Sequence, residues 1–271
     1  MSLKIFMCPP DYYYNIDYEI NPWMKKGTAC ANQAAVERWN ELKSIIHSLG
    51  AEVLTMKPQP GLPDIVFTAN AALIYRDKAV ISRFRHKERQ PEEKFYEAWL
   101  LEQGFKTVRL PENVNFEGAG DALFSGETLY SGYIPRSDIS SHAYISEALG
   151  IRIISLELVN PRFYHLDTCF CPLTDGYVMY YDKAFDEYGN RVIEANFPEE
   201  KRIVVNEEEA GLFSCNAVSI SKSVIMNKTT DRLKKVLADK GFNTYEVDLS
   251  EFMKAGGSAK CLTLKLNEHS V

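Results

Sequence analysis

The chain has 271 residues, 45% of them apolar and 25% charged, and carries a formal net charge of −6. That composition supports a sizeable core in one large domain or two smaller ones. The acidic balance offers no basic field for nucleic acid or anionic lipid, and the absence of any run of about 18 apolar residues predicts no membrane span.

The N-terminal MSLKIFMCPP reads as a strand and lacks the long apolar core of a signal peptide, which predicts a cytoplasmic protein. DYYYNIDYEINPWM follows, readable either as an ordinary packed loop or as a lid. An amphipathic helix, AAVERWNELKSIIHSLG, then runs into the strand AEVLTM, and the same arrangement recurs. EEKFYEAWLLEQG runs into FKTVRL, SHAYISEALG into IRIISLEL, and TTDRLKKVLADKG into FNTYEVDL. Glycine in the slot between helix and strand is the left-handed cap that ends a helix. With Asn196 taking that slot in DEYGNRVIEANFPEEKRIVV, the caps Gly50, Gly104, Gly150, Asn196 and Gly241 are spaced by 54, 46, 46 and 45 residues.

Five units of similar length mark a repeat architecture. Each has a second strand after a turn: VFTANAALIY, FEGAGDALFS, FYHLDTCFCPL, FSCNAVSI and CLTLKL. Strands alternating with helices in units too few for an eightfold barrel predict an α/β propeller-like ring. A doubly wound sheet is the competitor, weakened because no G-x-G-x-x-G follows a strand. No Pro/Gly/Ser linker divides the chain, so residues 1–271 read as a single domain.

Unusual polar residues recur at similar distances from the caps. Asn70 lies 20 residues after Gly50, Glu117 13 after Gly104, His165 15 after Gly150, Cys215 19 after Asn196 and Cys261 20 after Gly241. Placed on the second strand of each unit, they would converge on the axis of a ring. Asp167, two residues beyond His165, is expected to face the same way along that strand. Of the six cysteines, Cys169, Cys171 and Cys215 suit core packing, and no C-x-x-C pair suggests a metal. Cys261 differs, because it follows the turn KAGGSAK.

A thiolate nucleophile with a histidine acid/base is a complete catalytic pair. Carboxylates such as Glu117, Asp167 and Asp64 would hinder that thiolate unless the substrate is itself a cation. A guanidinium meets the requirement: it pairs bidentately with carboxylates and offers an electrophilic carbon. An arginine from RFRHKERQPEE, or Arg136 in SGYIPRSD, would hold the far carboxylate of an amino-acid substrate.

The motifs LPDIVFTANAAL, RFRHKERQPEE, FEGAGDAL, GYIPRS, FYHLDTCF and KAGGSAKCLTL together resemble the guanidine-modifying superfamily of arginine deiminases, dimethylarginine dimethylaminohydrolases and glycine amidinotransferases. The resemblance implies the family's five-bladed α/β propeller, or pentein, with pseudo-fivefold repeats and an axial site. It implies Cys261 as nucleophile, His165 as general acid/base and Glu117 as the carboxylate that binds guanidinium and orients the histidine. Asp64, Asp167, Arg89 and Arg136 match its substrate-binding positions. Where deiminases have an aspartate, this chain has Asn70; with Asn21 in INPWM, that is similar to the arginine dihydrolases, which convert arginine to ornithine, carbon dioxide and ammonia. Dimethylarginine hydrolysis, deimination to citrulline and amidino transfer stand as alternatives, as does a non-catalytic guanidinium-binding module. No metal or organic cofactor is implied, and the expected partner is a small guanidino substrate, with a homodimer as the expected assembly.

Overall fold

The computed structural model describes residues 2–14, 16–27, 30 and 32–269. Among them, fifteen strands form five three-stranded sheets. One sheet joins the two ends of the chain: β1 (Lys4–Met7) lies between β2 (Glu52–Thr55) and β15 (Leu264–Lys265). The second holds β3 (Ala72–Tyr75), β4 (Lys78–Ile81) and β5 (Lys106–Val108), and the third β6 (Ala122–Ser125), β7 (Thr128–Tyr133) and β8 (Ile153–Glu157). The fourth holds β9 (Phe170–Leu173), β10 (Tyr177–Tyr180) and β11 (Arg202–Val204), and the fifth β12 (Val218–Ile220), β13 (Ser223–Met226) and β14 (Asn243–Glu246).

All five sheets share one plan. The central strand pairs antiparallel on one side and parallel on the other, as in Leu73 opposite Val80 and Val80 opposite Val108. A parallel neighbour needs a crossover, and a helix supplies it each time. These crossovers are α1 (Asn32–Ser48), α2 (Glu93–Glu102), α3 (Ser140–Leu149), α4 (Glu187–Asn196) and, after the short α5 (Glu207–Gly211), α6 (Asp231–Asp239). A last short helix, α7 (Ser250–Met253), precedes the Cys261 turn. Helix α1 buries Ala35, Trp39, Leu42 and Ile46, the three- and four-residue spacing that brings one stripe onto a sheet. Each fully buried leucine of this kind contributes roughly 1.5–3 kcal/mol.

Gly50, Gly104, Gly150 and Gly241 take φ between +68° and +88°, as the helix stops require. Asn196 does not adopt the left-handed conformation expected of it. It is the last residue of α4, the following Phe197 is extended, and the Asn196 side chain donates instead to the Val192 carbonyl (2.7 Å). The repeat is real, but its unit also contains the central strands β4, β7, β10 and β13, to which the sequence reading assigned no strand.

Candidate active site

The polar residues expected on the second strand of each unit lie just ahead of it. Asn70 closes the 3-10 turn Thr68–Asn70 before β3, and Glu117 precedes the turn Gly118–Gly120 before β6. His165 precedes the turn Leu166–Thr168 before β9, with Asp167 inside that turn. Cys261 stands three residues before β15. Tight turns let neighbouring residues aim at one place, whereas a strand would alternate them between faces. Asp167 therefore does not share a strand with His165, and its side chain is oriented by the turn.

Glu117 is the hub of one half of the site. One oxygen, Oε2, accepts from Arg136 Nη1 (2.8 Å) and lies 2.7 Å from His165 Nε2, while Oε1 accepts from the Arg85 backbone N–H (3.2 Å). Burial alone would raise its carboxyl, but Arg136 and His165 outweigh that and hold it well below the usual carboxylate range. Asp121 braces this half, accepting from Ser137 Oγ (2.6 Å) and from the Leu166 N–H (3.0 Å). Close packing here depends on Gly120, where an added Cβ would come within 2.1 Å of Asn70 Nδ2 and 3.3 Å of His165 Nδ1.

The other half surrounds the sulfur. Cys261 Sγ lies 3.4 Å from Asp167 Oδ2 and accepts from Asn216 Nδ2 at 3.0 Å. Burial raises Asp167 to about 6, with Lys260 limiting the rise. Burial, then the Asp167 carboxylate, push the Cys261 thiol well above its ordinary value. Cys215 packs in the core, as its sequence suggested; the residue facing the site is its neighbour Asn216.

The remaining expected residues pack around these two halves. Arg89 donates to both oxygens of Glu92, to Asn70 Oδ1 (2.8 Å) and to the Asp64 backbone carbonyl (3.1 Å), while Asn70 Nδ2 donates to the Glu117 carbonyl (3.2 Å). The N-terminal segment, described except for residue 15, lies across the top. Tyr18 donates to Asp64 Oδ2 (3.1 Å), Arg136 Nη2 to the Ile20 carbonyl (2.6 Å) and Asn21 Nδ2 to the Ala255 carbonyl (3.0 Å). Gly256, at φ +83°, lets Asn21 approach, since a Cβ there would meet Asn21 Oδ1 at 2.7 Å. This segment is thus a packed loop against the site residues, one of the two readings its sequence offered.

Asp64, Asn70, Arg89, Glu117, Arg136, His165, Asp167 and Cys261 are each no more than 3% exposed. Inside, Asp64 Oδ1, Asp167 Oδ1 and His165 Nδ1 are buried with no hydrogen-bond partner among the described residues. Unpaired buried acceptors carry a cost, which a guest rich in N–H donors would relieve. Among the described residues, no group of three or more His, Cys, Asp or Glu side chains is arranged to hold a metal ion.

Sequence reading missed Asn216, Asp121, Tyr18 and Lys260. Asn216 carried a usable signal, lying 20 residues after Asn196 just as Asn70 and Cys261 lie 20 after their glycines.

The family model for eukaryotic N,N dimethylarginine dimethylhydrolase matches residues 15–268. The chain belongs to this family. Its relatives include the bifunctional arginine dihydrolase/ornithine cyclodeaminase ArgZ of Synechocystis sp., 51% identical over 98% of this chain and 38% of ArgZ. The N(G),N(G)-dimethylarginine dimethylaminohydrolase of Mycobacterium tuberculosis is 40% identical over 96% of this chain and 85% of that protein. The N-terminal domain of ArgZ covalently bound to a reaction intermediate matches with a TM-score of 0.96 at 50% identity, covering all of both chains. The chain thus spans little more than a third of the full ArgZ length. No helix among the described residues is long and apolar enough to cross a membrane.

Proposed function

We propose that this protein is an arginine dihydrolase, acting through a covalent cysteine intermediate on the guanidinium carbon of arginine. The observation that carries the reading is the pair of buried acceptors without a partner among the described residues, Asp64 Oδ1 and Asp167 Oδ1, the second on the carboxylate whose other oxygen lies 3.4 Å from Cys261 Sγ. A guanidinium would satisfy them with its N–H groups, and its charge would favour the thiolate that burial and Asp167 now disfavour.

In this reading, Cys261 attacks the guanidinium carbon, and ammonia departs carrying the thiol's proton by way of His165. Glu117 holds His165 by Nε2, which leaves Nδ1 free to move protons. A water deprotonated at His165 then displaces the sulfur and leaves a bound ureido group. A second attack by Cys261 expels a second ammonia, water releases the carbamate, and loss of carbon dioxide gives ornithine. Asn70 supports this two-round course: a neutral amide tolerates the neutral ureido group of the second round. Arg89 and Arg136 are the candidates for the substrate carboxylate. Arg136 has the more donors to spare, since only Nη1 and Nη2 make one bond each to the protein among the described residues. The closed N-terminal segment, with Asn21 pinned at Ala255, would retain the ureido intermediate between rounds.

We also infer that the five sheets close around one axis as a propeller within a single domain, that the protein works in the cytoplasm, and that it pairs as a homodimer. Dimethylarginine hydrolysis is the second reading, favoured by the relative from Mycobacterium tuberculosis, most of whose length this chain covers. Both are tested by offering arginine and dimethylarginine in parallel and quantifying ornithine, citrulline and ammonia. The expected outcome is ornithine with two ammonia per arginine; citrulline as sole end product from either substrate would overturn the dihydrolase. Cys261→Ser should cut turnover by about 10⁴-fold or more and abolish the protein adduct seen by mass spectrometry of quenched wild-type reactions.

A further inference from the structure

We propose that Asn216 is a catalytic residue of this site, donating a hydrogen bond from its side-chain amide to the reacting sulfur and stabilising the thiolate each time it forms. The proposal rests on the reading of Cys261 as the nucleophile.

Asn216 is fully buried, and its one side chain makes three bonds beside the sulfur. Its Nδ2 donates to Cys261 Sγ (3.0 Å) and to the Asp167 backbone carbonyl (3.1 Å); its Oδ1 accepts the Cys261 backbone N–H (3.1 Å). The third bond decides the orientation. A backbone N–H can only donate, so the carbonyl end of the amide must face it, and the NH₂ end is left for the sulfur. Carbonyl 167 requires the same orientation, because it can only accept. The amide is thus locked with a donor on Sγ.

A donor favours the charged form of its partner. On the other side of the sulfur stands Asp167 Oδ2, which opposes ionisation, and burial opposes it too. Asn216 acts against both, with help from the Ser258 backbone and from Lys260. In two-round hydrolysis the sulfur ionises to attack and is expelled as thiolate in each round, so one donor serves four events. The turn that presents Asn216 begins at Phe213, which holds φ +59°, an unfavourable conformation for a bulky aromatic residue. Its ring packs on Trp23 at 4.4 Å between centroids.

The test is Asn216→Asp, which keeps an acceptor for the Cys261 N–H and replaces the donor with a carboxylate oxygen. Alkylation of Cys261 by iodoacetamide, followed against pH in the full chain, should show its midpoint displaced upward by about one unit or more. The kcat on arginine should fall about 10- to 100-fold, as for loss of a hydrogen bond to a charged group, with KM little changed. An unchanged alkylation midpoint with kcat within about twofold of wild type overturns the proposal, as does impairment of Asn216→Ala alone, which would mark a purely positional role. If the aspartate variant does not fold, the same titration on Asn216→Ala decides, an unmoved midpoint being the contrary result. Failure of the wild-type protein to hydrolyse arginine or form an adduct would instead count against the proposed function and is seen before any Asn216 variant is made.

Discussion

The two halves of the chamber are built on opposite electrostatic plans. Around Glu117, a carboxylate with buried Arg136 on one side and His165 on the other stays ionised despite having no solvent. Around Cys261, a carboxylate raised to about 6 faces a thiol raised well above its ordinary value, and one oxygen of Asp167 has no partner among the described residues. The first half is complete before any substrate arrives. The second has Lys260 as its positive charge, which does not bring the Asp167 carboxyl or the Cys261 thiol back to their ordinary ranges, and a cationic guest would add to it. Preorganised dipoles act without reorganisation during a reaction, so under the proposed function the finished half would suit proton transfer, and the unfinished half would tie activation of the Cys261 thiol to the presence of substrate.

Glu117→Gln should break that contrast most severely. The amide matches the carboxylate in shape but leaves Arg136 buried without its counter-ion and His165 without an anionic neighbour. Loss of a positioned acid/base costs about 10²–10⁴-fold in kcat, and breaking a buried pair on one side costs about 3–5 kcal/mol of stability. Ammonia release and urea unfolding measure the two effects. A variant with near wild-type turnover and stability would show that the Glu117 half is not the fixed element described.

Asp167→Asn probes the other half through pH. The Asp167 carboxyl titrates at about 6 in the folded chain, against about 3.9 when unfolded. Between those values the folded state holds the proton more tightly, so the contribution to stability is full below about pH 4 and is lost as pH rises through 6. At pH 8 the buried charge costs on the order of 3 kcal/mol, at about 1.4 kcal/mol per pKa unit. The asparagine variant escapes that cost. Its unfolding midpoint, compared with wild type, should gain most at pH 8 and converge toward pH 4. A gain of equal size at every pH would mean that Asp167 is not held in the raised state.

Much of this contrast was legible in the sequence, because residue types with rare chemistry recur at regular distances from helix caps. Cys261, His165 and Glu117 lie just ahead of the strands to which that periodicity pointed, and Asp167 lies in the turn that follows His165. What stayed hidden was carried by backbone. The polar residues sit on 3-10 turns whose sequences, such as FTANAAL and YHLDTCF, have the apolar, β-branched and aromatic composition of strands. The central strands KAVI and SVIM are four residues long, too short for a period to show. The N-terminal segment closes the chamber largely through carbonyls of Ile20, Ala255 and Arg162, which any residue type would present. Asn216 was overshadowed by the cysteine beside it, although its offset from the cap was the better guide.

The smallest effect is expected at the seam between the halves, where Asn70 joins Arg89 to the Glu117 backbone. Asn70→Asp would keep the acceptor for Arg89 but turn a carboxylate oxygen toward the Glu117 carbonyl, two acceptors facing each other. It would also add an anion to a site that, in the proposed two-round reaction, would hold a neutral ureido group in the second round. The first round, on a cation, should tolerate that charge, and the second should not. Ornithine formation from arginine should therefore fall, with citrulline accumulating and the product ratio moving by the order of tenfold, about the worth of one hydrogen bond. Equal slowing of both rounds, read from the ammonia released per arginine consumed, would place Asn70 with the fixed half and remove it from the choice of product.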